Sequence, residues 1–187
     1  VLATQNPIEQ EGTYNLPEAQ LDRFLMYIKI DQPDVDTERK ILKLVRTEQR
    51  ETKEQDPAWQ EFSKTVGKIA VEDILTARRE VLSMHVSESL EEYLVQLIVA
   101  TRKPEKYDAS LRDKILFGAS PRATIALDKC AKINAWLDGR DFVTPEDIHA
   151  VIYDVLRHRI ILSFEAQADG LTTDDIIASL LKTVPLP

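Results

Sequence analysis

Two polar residues near the start of the chain have side chains suited to binding phosphate. Asn6 follows the apolar run VLAT, and Arg23 follows the segment PEAQLD. At the end of a strand in an open α/β sheet, Asn6 would lie where such sheets bind ligands, and its amide can both accept and donate. Arg23 carries a permanent charge on a planar fork of donors. Structural alternatives stay open: Asn6 can cap a loop, and Arg23 can pair with Asp22, Glu18 or a helix C-terminus.

Arg122 is a third candidate, placed at about the second residue of a predicted helix. The positive end of the helix dipole disfavours a cation there by about 0.3 to 1 kcal/mol. The same position attracts anions, because the first N–H groups of a helix have no partner within it. Arg122 and these N–H groups therefore predict a small phosphate site. The alternative is a solvated arginine that tolerates the small penalty.

Motifs for nucleotide hydrolysis and metal binding are missing from this sequence. The five glycines, at positions 12, 67, 118, 139 and 170, are too dispersed for a phosphate loop. No apolar strand ends in the acidic pair that would hold magnesium. The histidines at 85, 149 and 158 have no metal-ligand spacing with one another or with Cys130. We expect no metal site here, and we interpret the histidines as surface or packing residues.

The composition is that of a soluble globular protein. The chain has 187 residues, 43% of them hydrophobic and 30% charged. No apolar run approaches the roughly 18 residues of a membrane span, and the first residues lack the pattern of a signal peptide, so we expect a cytoplasmic location. A net charge of −8 disfavours binding to nucleic acid. The single cysteine, Cys130, is interpreted as a small core residue.

The first 33 residues have the pattern of part of an α/β sheet. VLAT and FLMYIKI, at 1–4 and 24–30, predict two strands. Between them, Pro17 and Glu18 favour the start of a short helix. The order strand, loop, helix, strand is typical of a parallel sheet, whose other strands this sequence does not contain.

The rest of the chain is helical in period. Asp36 is a candidate cap for one helix, the pair Asp56–Pro57 opens a second, and a third begins near residue 71. Ser87 precedes a fourth, terminated by Pro104 downstream. We expect the apolar residues of these helices to face a core, including Ile41, Leu42, Val45, Trp59, Phe62, Ile74, Leu75, Leu90, Tyr93, Leu94, Leu97 and Ile98.

A second helical group follows the segment 104–120. Ser120–Pro121 predicts the start of a helix that ends at Asp138–Gly139, with one apolar face made of Ala123, Ala126, Leu127, Cys130, Ile133 and Leu137. Thr144 and the residues PED after it predict a helix that reaches about Leu156. The last helix is predicted from near Thr172 to Lys182.

Three stretches together resemble the MoxR family of AAA+ ATPases, which is related to the magnesium-chelatase ATPase subunit. They are VLATQNPIEQEGTYNLPEAQLDRFLM, GASPRA and VLRHRIILSFEA, and the resemblance extends over nearly the whole chain. It implies a mainly α fold, in which a helical lid domain follows a two-strand remnant of the α/β core. We expect the end of the core at 1–33 and the linking helices and lid at 34–187. Asn15 departs from the proline that the family pattern has in this loop.

The resemblance also implies a role for each candidate residue. Asn6 corresponds to the sensor-1 residue that positions the attacking water, and Arg122 to the sensor-2 arginine that reports the nucleotide state through the lid; both would contact the nucleotide. Arg23 corresponds to the arginine finger, which reaches the γ-phosphate in the neighbouring subunit. All three are therefore candidate catalytic residues.

For a longer parent protein, the resemblance implies ATP and Mg²⁺ as cofactors, a homo-oligomeric ring such as a hexamer, and partners that contain von Willebrand factor A domains. Such a parent remodels or activates other proteins in the manner of a chaperone. We expect the present chain, without a phosphate loop, to be inactive alone and to hold no cofactor. The alternative is a non-catalytic interaction module derived from a AAA+ lid; a DNA-dependent motor is disfavoured by the acidic charge.

Overall fold

The computed structural model describes residues 1–5, 16–50 and 69–187, with only the backbone described at 47–50. The chain divides into two compact units, one formed by Val1–Ile28 and Val81–Pro187 and the other by Lys29–Glu80. The predicted mainly α fold is confirmed, because helices form most of the described part of both units. The expected helix at Asp56–Pro57, with Trp59 and Phe62, lies outside the described residues.

Helix α2 (Val35–Arg50) lies in the unit Lys29–Glu80, and helix α3 (Val71–Ser83) begins in this unit and ends in the other. The cap of α2 is Asp34 rather than Asp36, since its carboxylate accepts the Thr37 N–H at 2.8 Å. The expectation that α2 and α3 face a core is wrong for their described side chains. Of the apolar residues predicted on these faces, Val81 is half-buried and the others are exposed: Ile41, Leu42, Val45, Ile74, Leu75 and Leu82.

The core of the other unit lies among four helices. They are α4 (Glu88–Arg102), α5 (Pro121–Leu137), α6 (Pro145–Leu156) and α8 (Thr173–Thr183). The predicted face of α4 is confirmed, with Leu90, Tyr93, Leu94, Leu97 and Ile98 all buried. Ser87 caps α4 by accepting the Leu90 N–H, and Thr172 caps α8 in a capping box with Asp175.

Helix α5 packs through small residues. Its buried residues are Ala123, Ala126, Leu127, Cys130, Ala131 and Ala135. Ile133 and Leu137, predicted on this face, are 40% and 70% exposed. Ile133 lies at the margin of the buried stripe, which continues towards Ala131 and Ala135, and Leu137 is the last residue of the helix. Gly139 follows with a φ of 74°, a left-handed value that glycine adopts without strain.

Helix α6 begins with a capping box formed by Thr144 and Asp147. Asp147 is 1% exposed and also accepts hydrogen bonds from Asn134 of α5 and from Arg140. Burial raises the pKa of this carboxyl, but the Arg140 and Asn134 hydrogen bonds outweigh burial and hold the pKa well below its usual range. The start of α6 is therefore tied to α5 and to the turn between them.

The two short strands lie elsewhere than expected. β1 (Ile115–Phe117) pairs antiparallel with β2 (Ile161–Leu162), with Ile115 opposite Leu162. The predicted strands at 1–4 and 24–30 have no ladder. A strand needs a neighbour to satisfy its backbone groups, and the described residues do not supply one there. In place of a ladder bond, the Tyr27 N–H donates to the Asp154 carbonyl at 2.8 Å. The remaining helices of this unit are short: α1 (Glu18–Leu21) and α7 (Phe164–Ala168).

Candidate functional site

The GASPRA segment fixes the start of α5 and with it Arg122. Gly118 lies so close to α4 that a Cβ atom on it would be 2.4 Å from the Thr101 carbonyl oxygen. The Ala119 N–H donates to Thr101 Oγ1 at 2.9 Å, and the Arg102 guanidinium donates to the Ala119 carbonyl at 2.6 Å. Arg122 is the second residue of α5, as predicted.

Arg122 reaches the solvent beside a carboxylate. Its side chain is 61% exposed, and Nη1 donates to Asp22 Oδ2 at 3.2 Å. Its backbone N–H is used by the cap, since it donates to Ser120 Oγ at 3.2 Å. A phosphate at this position would compete with the Asp22 carboxylate for the Arg122 guanidinium.

Asp22 is the centre of a polar cluster that also contains Ser120, Arg122 and Arg159. The Ser120 hydroxyl donates to its carboxylate at 2.9 Å, and Arg159 Nε donates to Oδ1 at 3.1 Å. Burial raises the pKa of the Asp22 carboxyl, but hydrogen bonds from Ser120 and Arg122 and the charge of Arg159 together lower it below its usual value. Asp22 is thus held as an anion between two arginines.

Arg159 is the residue of this cluster that sequence reasoning missed. Its side chain is 2% exposed, and it donates to the carbonyls of Asp22 at 3.1 Å and Leu25 at 3.2 Å, and to that of Phe24. Burial lowers the pKa of the guanidinium, with Asp22 acting in the opposite direction. The only sequence signal was the position of Arg159 within VLRHRIILSFEA, which gives no partner.

Arg157 and His158 hold the same backbone segment. Arg157 donates to the Tyr27 carbonyl at 3.0 Å and pairs with Asp154 and Asp174 at 2.8 Å each. His158 Nε2 lies 3.3 Å from the Phe24 carbonyl oxygen, and its buried Nδ1 has no partner among the described residues. Three consecutive residues after α6 therefore bind the chain between 22 and 27.

Arg23 lies in the turn after α1, inside the segment held in this way. It is exposed, and in the part of the chain that the structure describes its side chain forms no ion pair or hydrogen bond. The alternative ion pairs of Arg23 with Asp22 and Glu18 are not formed, and the Asp22 carboxylate is bonded instead to Ser120, Arg122 and Arg159. Within the described part of the chain, the Arg23 side chain therefore faces solvent.

The other candidates lie outside this cluster. Asn6 lies outside the described residues, so its role stays a prediction. Cys130 is buried, as predicted, and burial raises the pKa of its thiol to about 11. His149 Nε2 is 2.7 Å from the Tyr93 hydroxyl, and His85 pairs through its backbone with Asp141 and Val143. Among the described residues, no group of His, Cys, Asp and Glu could hold a metal ion.

His158 predicts how stability depends on pH. Burial, assisted by the charge of Arg159, lowers the pKa of His158 from 6.5 to about 4. The unfolded chain therefore takes up the proton first, and the free energy of unfolding should fall as the pH drops from about 6.5 to about 4. Urea unfolding at a series of pH values measures this slope.

The variant His158→Gln should reduce the slope of the free energy of unfolding against pH, because glutamine does not titrate. His85→Gln changes an exposed imidazole and is the matched control, which should keep the slope of the unchanged chain. An equal slope in all three proteins would show that His158 is not responsible.

Two family models match the chain. Residues 109–180 match the AAA lid domain, and residues 1–26 match the ATPase family associated with various cellular activities. The first match contains Arg122 and Arg159, and the second contains Asp22 and Arg23. The cluster thus joins residues from the two matched regions.

Curated relatives and a solved structure resemble the whole chain. It is 38% identical over 188 residues to "Chaperone MoxR1" of Mycobacterium tuberculosis, covering 100% of this chain and 46% of that protein. It is 34% identical over 197 residues to "Protein MoxR" of Methylorubrum extorquens, covering 100% of this chain and 55% of that protein. A crystal structure assigned as an ATPase of Cytophaga hutchinsonii aligns with a TM-score of 0.85 at 42% identity, over 98% of this chain and 53% of that one.

The chain thus spans about half the length of the curated relatives that it matches. A search of the described residues finds no helix with the length and apolar character needed to cross a membrane.

Proposed function

The chain belongs to the MoxR family of AAA+ ATPases, and on that basis we propose that it supplies the finger and lid of a ring-forming ATPase whose phosphate loop lies outside these 187 residues. The observation that carries the proposal is the exposed Arg23, which projects from a turn fixed by buried contacts. An exposed arginine that has no partner among the described residues is suited to a phosphate in the next subunit.

Within such a ring, each of the three candidate residues has a separate role in ATP hydrolysis. Arg23 neutralises charge that develops on the γ-phosphate of the neighbouring subunit, a contribution typical of arginine fingers. Arg122 binds the phosphate of its own subunit, in exchange for Asp22, and Asn6 positions the attacking water. Mg²⁺ would be held by residues outside this sequence and would neutralise negative charge on the phosphates.

We propose that ATP hydrolysis is coupled to chaperone-like remodelling of partner proteins in the cytoplasm. The name of the Mycobacterium tuberculosis relative supports the chaperone part. Partners with von Willebrand factor A domains and a hexameric ring are proposed on the family resemblance. For the domains, we propose that the end of the core lies at 1–33 and that the linking helices and the lid lie at 34–187.

ATP binding by two lengths of the protein tests the proposal. The full-length protein should hydrolyse ATP in the presence of Mg²⁺. The 187-residue chain should neither hydrolyse ATP nor bind it with micromolar affinity, because it lacks the phosphate loop and the magnesium ligands. Calorimetric titration and a phosphate-release assay measure both quantities.

An exposed arginine without a proposed role provides the control, since full-length Arg112→Ala should hydrolyse ATP normally. Micromolar ATP binding by the 187-residue chain would show that the pocket is complete here. A full-length protein without hydrolysis would favour the non-catalytic interaction module.

A further inference from the structure

We propose that Arg159 is a positioning residue for Arg23, fixing the turn from which that side chain projects. The inference rests on the proposed function, because the position of Arg23 matters to catalysis only if Arg23 reaches a nucleotide. Arg159 itself touches no substrate in this scheme. It acts by binding the backbone on both sides of Arg23.

The geometry of the turn gives Arg159 this role. Its guanidinium donates to the Asp22 carbonyl just before Arg23 and to the Phe24 and Leu25 carbonyls just after it. It also donates to the Asp22 carboxylate, which balances its charge. A planar group with five donors can satisfy several acceptors at once, and burial prevents water from replacing them.

Apart from Arg159, the described contacts that hold the turn include the Ser120 and Arg122 bonds to the Asp22 carboxylate, while helix α1 adds little. Helix α1, which leads into it, is four residues long and has no buried residue. A helix of that length is not stable by itself. Among the described residues, the side chains that bind the backbone carbonyls of this turn come from the segment after α6: Arg159, with His158 on Phe24 and Arg157 on Tyr27.

Lysine is the informative replacement at position 159. It keeps the positive charge beside Asp22, so the partly buried carboxylate retains an ion pair with position 159 in addition to its bonds from Ser120 and Arg122. It has a single nitrogen and cannot bind the carbonyls of Asp22, Phe24 and Leu25 in the geometry of the guanidinium fork. The change thus loosens the turn while it retains the ion pair.

ATP hydrolysis by the full-length protein tests the proposal. In Arg159→Lys we expect kcat to fall by about 10²-fold, the effect of displacing a catalytic group by about 1 Å. KM for ATP should change little, since a finger acts mainly in the transition state. Arg112→Lys, at an exposed position, is the matched control and should leave both constants unchanged.

A double-mutant cycle separates positioning from a general structural role. If Arg159 acts through Arg23, the double variant Arg23→Ala/Arg159→Lys should hydrolyse ATP no more slowly than Arg23→Ala. A further 10²-fold loss in the double variant would overturn the proposal, as would an unchanged kcat in Arg159→Lys. If Arg23→Ala hydrolyses at the normal rate, the finger assignment under the proposed function has failed instead.

Amide exchange provides a readout that does not depend on activity. The N–H groups of Arg23 and Phe24 donate to Gln20 and Leu21 at 3.2 and 3.0 Å. In the 187-residue chain, Arg159→Lys should speed their exchange and leave the interior of α5 unchanged. Should Arg159→Lys fail to fold, Arg157→Lys takes its place in both experiments, with smaller effects of the same kind expected. Unchanged exchange at both amides would contradict the proposal.

Discussion

Mixed rings of the full-length ATPase that we propose are expected to recover ATP hydrolysis when Arg23→Ala subunits are combined with subunits whose phosphate loop is disabled. Each variant alone should form inactive rings. An Arg23→Ala subunit retains a complete pocket and lacks only the finger that it would give to its neighbour. A phosphate-loop variant cannot use its own pocket but still offers Arg23. Where the two are adjacent in the right order, one pocket is complete.

Arg122→Ala subunits should show no such recovery, because their defect lies in their own pocket. The loss of a finger commonly costs about 10³ to 10⁵ in rate, so even partial recovery lies far above the background. ATP turnover measured against the mixing ratio should peak at intermediate ratios for Arg23→Ala and stay flat for Arg122→Ala. Mixed rings of unchanged and phosphate-loop subunits are the control for subunit exchange.

Other outcomes would change the assignments. Recovery for Arg122→Ala but not for Arg23→Ala would reverse the two roles. Full activity of both single variants would make both arginines structural. An inactive Arg23→Ala that no mixture restores would place Arg23 in the pocket of its own subunit.

The helix starts were predictable because their signals are local. Ser87, Ser120, Thr144 and Thr172 all cap helices at the expected residues. In each case the acceptor is a side chain within three residues of the N–H that it binds, so a short stretch of sequence contains the whole interaction. The same reason makes Gly139 a reliable stop.

The site itself was only partly predictable, because its contacts join distant residues. Arg122 could be placed at a helix start, but its partner Asp22 lies 100 residues away. Arg159 lies 137 residues from Asp22, and no spacing rule connects them. The sequence shows which residue types form the Asp22 cluster, but only the folded structure shows that these residues are in contact.

Two other predictions were wrong for a different reason. They are the strands at 1–4 and 24–30 and the core-facing sides of helices α2 and α3. An apolar pattern shows which side chains can be buried, but burial and ladder bonds need a partner surface. The described residues do not supply such a surface for Ile74 or Leu75, nor a strand beside 24–30.

Asp22→Ala is expected to destabilise the 187-residue chain by about 3 to 5 kcal/mol, the usual cost of leaving a buried charge unpaired. Its two arginine partners differ in burial, with the Arg159 side chain 2% exposed and that of Arg122 61% exposed. Removing the exposed partner in Arg122→Ala should therefore cost only about 0 to 1 kcal/mol.

Urea unfolding followed by circular dichroism compares these variants, with Asp113→Ala as the control at an exposed aspartate.

The destabilisation caused by Asp22→Ala should also depend on pH. The pKa of Asp22 is lowered in the folded chain, so its contribution is present above its ordinary value of 3.8 and is lost as the pH falls through the folded value. The difference between unchanged chain and Asp22→Ala should accordingly narrow in strong acid. If Asp22→Ala and Arg122→Ala lowered the free energy of unfolding equally, the Arg122–Asp22 ion pair would be what holds the cluster together. Arg122 would then not be free to exchange Asp22 for a phosphate.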